Sequence, residues 1–310
     1  MESAIQPGVG IQPKALPEAV RKAWIRFGLA VLALAACFII PLWTLAQLAM
    51  RVDIHSHVLL VPLVSAYLIW IERTDLPLPT KPDWWVGILS GITAGALLLV
   101  PVGSADVQLT FRILALVFAV TAAGSLVLGT STVKRCLFSF GFLVFMAPLP
   151  KFVIDGLETA LQHVSADAAD WWFVLTRIPS VRDGLFFRLP GLTIEVAQEC
   201  SGFRSTLVLF IVSQVAARMF LKSAWRQALL VLVIIPLGIL RNAFRIWVLA
   251  VASVYIDPRV IDSPLHHQGG PIFFLISLVP LFAFLWILYR SERSLRTQAA
   301  TGTVGATLGA

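Results

Sequence analysis

Long apolar runs separated by short polar segments dominate the chain. Eight of them are distinct: 27–50, 57–71, 84–102, 109–129, 136–150, 202–220, 227–256 and 271–290. A transmembrane helix needs about 20 mostly apolar residues, so each run predicts a span, with the second and fifth short. The seventh is too long for one perpendicular crossing, and Pro236 and Gly238 predict a kink or break within it. The pattern therefore predicts an all-α polytopic membrane protein of about eight transmembrane helices.

The segment 151–201 is the one long connection. Val153, Leu157, Leu161, Val164, Ala168, Trp171, Trp172 and Leu175 recur at helical spacing. They predict an amphipathic helix that lies on the membrane or covers a site. Between Arg182 and Val196, short β-type runs and Gly184, Pro190 and Gly191 predict a small hairpin. The expected organisation is a basic, partly disordered tail over 1–26, one membrane domain over 27–290, and a disordered tail over 291–310. The first 26 residues are polar and basic, and the apolar run after them exceeds the core of a cleavable signal, so it is expected to be a first span.

Composition supports lipid as the solvent: 58% of residues are hydrophobic, 13% are charged, and the mean hydropathy is +0.86. A soluble domain carries about a quarter charged residues. The net charge of +7 would point to nucleic acid in a soluble protein, but here it reads as cytoplasmic loops, and no nucleic-acid partner is expected. With a cytoplasmic N-terminus, the inside loops hold 14 Lys and Arg and the outside loops 6. Both termini are expected inside, which puts 151–201 outside.

On that topology three polar clusters meet at the outer face. The first is Glu199-Cys200-Ser201-Gly202-Phe203-Arg204-Ser205, at the entry to the sixth span. A cysteine at a helix N-terminus has its thiolate favoured by the macrodipole. Arg204 would reinforce this, and Gly202 lets a backbone approach closely. The residues alone leave Cys200 open between nucleophile and structural thiol, whereas Cys37 and Cys136, in apolar runs, are expected to be small buried hydrophobes. Three cysteines without a CxxC pair predict no disulfide framework.

The second cluster is Arg241-Asn242-Ala243-Phe244-Arg245 within the seventh span. An arginine in a span costs at least ~2.5–3.5 kcal/mol and normally faces a polar interior. Arg241 and Arg245 share a helix face. They read either as ion-paired pins of the bundle, with Glu195 or Glu199 as partners, or as a cationic site suited to an oxyanion. The third cluster is Ser263-Pro264-Leu265-His266-His267-Gln268-Gly269-Gly270. Adjacent histidines with no HExxH or CxxC argue against a metal, and neither metal nor cofactor is expected. They read as interfacial residues or, beside a cysteine, as a general acid/base. Asp53-Ile54-His55-Ser56-His57 is either a fourth wall or a helix cap with interfacial histidines.

Together these motifs resemble the exosortase/archaeosortase family of membrane transpeptidases. The family's nucleophile motif matches Cys200-Ser201-Gly202-Phe203-Arg204-Ser205, and its Asn-x-x-Arg matches Asn242-Ala243-Phe244-Arg245. Its histidine before a glycine and an aromatic span matches His266-His267-Gln268-Gly269-Gly270 with Phe273-Phe274, favouring His266 over His267. Ser56-His57 with Leu60-Val61-Pro62, and Pro148-Leu149-Pro150, also look like family features, so the resemblance covers roughly 50–290. Two positions depart from the pattern: Pro271 stands where many members carry an aromatic residue, and Gln198-Glu199 precede the cysteine in place of a small residue.

The resemblance implies a cysteine protease/transpeptidase in a bacterial inner membrane, with its site facing the periplasm or exterior. Its partners would be the bilayer, secreted proteins with a C-terminal transmembrane sorting signal of the PEP-CTERM kind, and an unidentified envelope acceptor. Cys200, Arg245 and His266 would be catalytic. Ser201, Gly202, Arg204, Arg241, Asn242, His267, His57 and Glu199 would support them. Three other readings stay open: proteolysis without transfer, an anion transporter or channel built on Arg241 and Arg245, and a non-catalytic factor in exopolysaccharide export. A transporter predicts paired broken helices in related halves, whereas the chain holds one such helix and no internal repeat.

Overall fold

The computed structural model describes residues 18–72, 84–101, 103–198, 201–257, 259–260 and 270–307. It divides into two compact units, Met1–Lys151 and Phe152–Ala310. The protein is a polytopic helical membrane protein. Among the described residues, five helices are long and apolar enough to cross a bilayer, or up to seven if each of two bent pairs counts as one crossing. Trp84–Leu99 is apolar but shorter than these. Large apolar side chains point outward along the helices, as with Leu99 at 83% and Val279 at 70% exposure. Such surface is stable only where lipid covers it.

The first unit opens with α1 (Glu18–Cys37) and α2 (Ile39–Arg51), bent by 77° at Phe38. Pro41 explains the bend, because its ring excludes the carbonyl of Cys37 four residues back. Residues 18–26, within the segment expected to be a tail, are helical, with a Lys22–Glu18 pair. Cys37 is exposed at the bend rather than buried, because α1 ends there without a covering neighbour among the described residues; Cys136 is buried as expected.

A 3-10 turn (Asp53–Leu59) leads into α3 (Val61–Glu72), followed by α4 (Trp84–Leu99) and α5 (Ala105–Val127). The run 136–150 does not form one straight span. It follows α6 (Thr130–Arg135) and is divided between α7 (Leu137–Phe142) and a 3-10 turn (Leu143–Met146). Pro148 and Pro150 prevent it from continuing. Phe27, Leu128, Val133, Cys136 and Phe140 form the core of this unit. Ser65 donates to the carbonyl of Ser139 at 2.6 Å, tying α3 to α7.

The second unit contains most of α8 (Lys151–Leu175), then β1 (Val181–Asp183), β2 (Phe186–Leu189) and β3 (Leu192–Glu195). These strands form an antiparallel sheet in sequential order, two hairpins where the sequence predicts one. The face of α8 that packs inward is Gln162, Ser165, Ala166, Ala169 and Phe173. The apolar stripe at Leu157, Val164, Trp171 and Leu175 faces outward. Small residues allow the helix to sit close to the sheet, where Phe187 and Ile194 complete the core with Ala243, Ile246 and Ala250.

Next come α9 (Phe203–Phe220), α10 (Ala224–Leu232), α11 (Ile234–Tyr255) and α12 (Gly270–Thr307). The seventh apolar run breaks at Val233, where the ring of Pro236 excludes the carbonyl of Leu232. Helix α12 continues to Thr307, so 291–307 is helical where the sequence predicts a disordered tail. Glu292, 7% exposed, accepts from the backbone N–H of Lys222 at 3.1 Å, and Arg226 donates to Ser291 at 3.3 Å. With that end pinned and no proline after Pro280, propagation past 290 costs little.

Candidate active site

The site is built around the N-terminus of α9. Gly202 is its N-cap, with φ 72° and ψ 7°, a left-handed conformation that glycine adopts without strain. A Cβ on Gly202 would stand 2.8 Å from Oδ1 of Asn242 and 3.1 Å from Nη2 of Arg241. Both of those residues come from α11, whose close approach depends on a second glycine. A Cβ on Gly238 would lie 2.6 Å from Oγ1 of Thr206. The two helices thus meet at glycine on each side.

The arginine reaches across this crossing. Nη2 of Arg241 donates to the carbonyl of Gly202 at 3.1 Å and to Oγ1 of Thr206 at 3.2 Å. The same carbonyl also receives Thr206 N at 3.0 Å, Thr206 Oγ1 at 2.9 Å and Ser205 Oγ at 3.1 Å. Arg241 is 7% exposed and Asn242 2%. Arg245, one turn further along, is half-buried, whereas Arg204 is exposed.

The strand side of the turn is anchored as well. The Gln162 side chain donates to the carbonyl of Val196. Gln198 donates to Glu158 at 3.2 Å, and Ser201 N donates to Gln198 O at 2.9 Å. Ser201 is buried, with its Oγ accepting from Phe203 N at 3.3 Å. Glu199 and Cys200 lie outside the described residues, as do His266 and His267; the chain on both sides of 199–200 is fixed by these bonds.

An aromatic cluster gathers on Phe244, the residue before Arg245 in the chain. The ring of Phe244 stands 5.8 Å from Trp172, 5.8 Å from Trp247 and 6.4 Å from Phe273. Trp247 donates its indole N–H to Thr176 at 3.1 Å. An open groove of about 470 Å³ runs between Trp171 and Trp172 of α8 and Leu240 of α11.

The structure thus brings Ser201, Gly202, Arg241 and Asn242 together. His57 belongs to the first unit, where its Nδ1–H donates to the carbonyl of Ile54 at 3.1 Å within the 3-10 turn, beside the buried His55. Sequence reasoning missed Thr206, and it gave Gly238 no role beyond a kink and Phe244 none of its own. Thr206 directly follows the Cys200–Ser205 stretch, and Gly238 precedes Arg241 by three positions, so both signals lay beside motifs already marked.

The family model described as "Transmembrane exosortase (Exosortase_EpsH)" matches residues 49–283. The chain belongs to this family. The match takes in every cluster above, from the 3-10 turn with His57 to the first turns of α12. No curated protein and no solved structure matches this exosortase-family chain.

Proposed function

We propose that this protein is a membrane-embedded cysteine peptidase and transpeptidase acting on secreted proteins that carry a C-terminal transmembrane sorting signal. The observation that carries the reading is the family match over 49–283, which contains Cys200, Arg245 and His266. The crossing of α9 and α11 supports it, since the helix that follows Cys200 is bonded to the helix that bears Arg245.

In the proposed reaction the Cys200 thiolate attacks the scissile carbonyl carbon. The electron pair of the carbonyl moves to oxygen, and the Arg245 guanidinium stabilises that charge. The C–N bond breaks as His266 gives a proton to the departing amine, leaving a thioester on Cys200. An amine of an envelope acceptor, or water, then loses a proton to His266 and takes the acyl group, releasing the thiolate. Ser201, Gly202, Arg204, Arg241, Asn242, His267, His57 and Glu199 are the proposed supporting residues. The proposed setting is a bacterial inner membrane, crossed eight times, with both termini cytoplasmic and the site on the outer side. Helix α8 lies at that outer face, its apolar stripe against lipid.

The test is co-expression of the Cys200→Ala chain with a protein bearing such a signal. Full-length, membrane-retained substrate is the expected result, and normal processing would remove the enzymatic reading.

A further inference from the structure

By ordinary rules Arg241 is out of place. It is buried in a membrane helix at 7% exposure. It stands at the N-terminus of α9, where the macrodipole is already positive and a cation is disfavoured. Arg245 adds a like charge four residues away on the same helix. The hydrogen-bond acceptors of Nη2 are neutral, and Nη1 is buried with no hydrogen-bond partner among the described residues. None of the ion pairs formed by the described residues Glu18, Asp167 and Asp183 involves it. A cation kept at such cost needs a use at that point in the fold.

What Arg241 holds is the left-handed turn at Gly202, which sits two residues after Cys200 in the sequence. We propose that Arg241 is a positioning residue. It locks the carbonyl of Gly202, two positions after Cys200 in the chain, and its task is to favour the thiolate of Cys200 by its charge. This rests on the reading of Cys200 as the nucleophile and assigns Arg241 a task distinct from that of Arg245. The charged groups of these elements nearest this turn by sequence or hydrogen bond are Arg204 on α9, Arg245 on α11, Glu195 on β3 and Glu158 on α8, which Gln198 bonds; Glu199 adjoins Cys200 in the chain.

The experiment is the pH dependence of iodoacetamide alkylation, read by mass spectrometry on the peptide containing Cys200, using the full chain in detergent. Arg241→Gln is expected to move the alkylation midpoint to higher pH and to slow the reaction at pH 7 by about tenfold. Arg241→Lys restores the midpoint in part, because it keeps the charge. Thr206→Val keeps the midpoint and slows substrate processing, because it loosens the turn alone. A wild-type alkylation profile in Arg241→Gln overturns the proposal. If that chain fails to accumulate in the membrane, wild-type profiles and processing in both Arg241→Lys and Thr206→Val overturn it instead. The functional reading fails separately, if Cys200→Ala processes substrate normally, and the alkylation profile still decides the role of Arg241.

Discussion

Gly238 and Thr206 touch so closely that a single added carbon on the glycine would lie 2.6 Å from the threonine hydroxyl. This contact fixes how near α11 comes to α9, and so fixes the reach of Arg241 to Gly202. Gly238→Val is expected to force the helices apart, lowering stability by about 1–3 kcal/mol. The measurement is the midpoint of thermal unfolding in detergent, and processing should fall with it. An unchanged midpoint would show that the crossing tolerates a wider gap.

Gly202 carries a stronger constraint, because backbone and space act together. Gly202→Ala places a Cβ 2.8 Å from the Asn242 side chain, at a φ of 72°. The left-handed conformation alone costs roughly 1–2 kcal/mol for a residue with a Cβ. Processing is expected to drop at least about tenfold, equivalent to ~1.4 kcal/mol on the barrier, with the protein still inserted. The initial rate of substrate cleavage in membranes checks this.

The far end of α12 makes a different prediction. Glu292 is buried and accepts from the backbone of Lys222 at 3.1 Å. Glu292→Ala leaves that N–H without its acceptor, a loss of about 1–3 kcal/mol. The end of α12 should then release, and limited trypsin digestion should cut faster after Arg293 and Arg296. Equal digestion rates would show that α12 is held there by apolar packing alone.

In the first unit Asp106 plays a similar part at an exposed position. Its Oδ2 accepts from Lys151 N at 3.0 Å, capping the start of α8. Asp106→Ala is expected to loosen that turn, and Asp106→Asn to loosen it less, since the amide oxygen still accepts. Hydrogen exchange in the first turn of α8 distinguishes the two. No difference between them would assign the effect to charge or to nothing.

The helical membrane class was legible because a helix apolar on every side over the width of a bilayer needs lipid around it in a chain this short. The break at Val233 was legible through Pro236, whereas the bend at Phe38 was missed although Pro41 acts by the same clash. The inward face of α8 was not legible. Periodicity marks Leu157, Val164, Trp171 and Leu175, yet Ala166 and Ala169 pack inward, since in lipid close approach can matter more than hydrophobicity. Within the candidate site, the motifs named the right segments but not their internal bonds. Arg241 meets Gly202 across 39 positions, and no local pattern announces a contact of that range.

The central claim is a covalent bond between substrate and Cys200. It is tested most directly by intact-mass and peptide analysis of the enzyme quenched in acid during turnover, with and without hydroxylamine. The account predicts a substrate-derived adduct on the peptide containing Cys200 that hydroxylamine removes. Turnover with no adduct on that peptide, or an adduct that resists hydroxylamine, would contradict it.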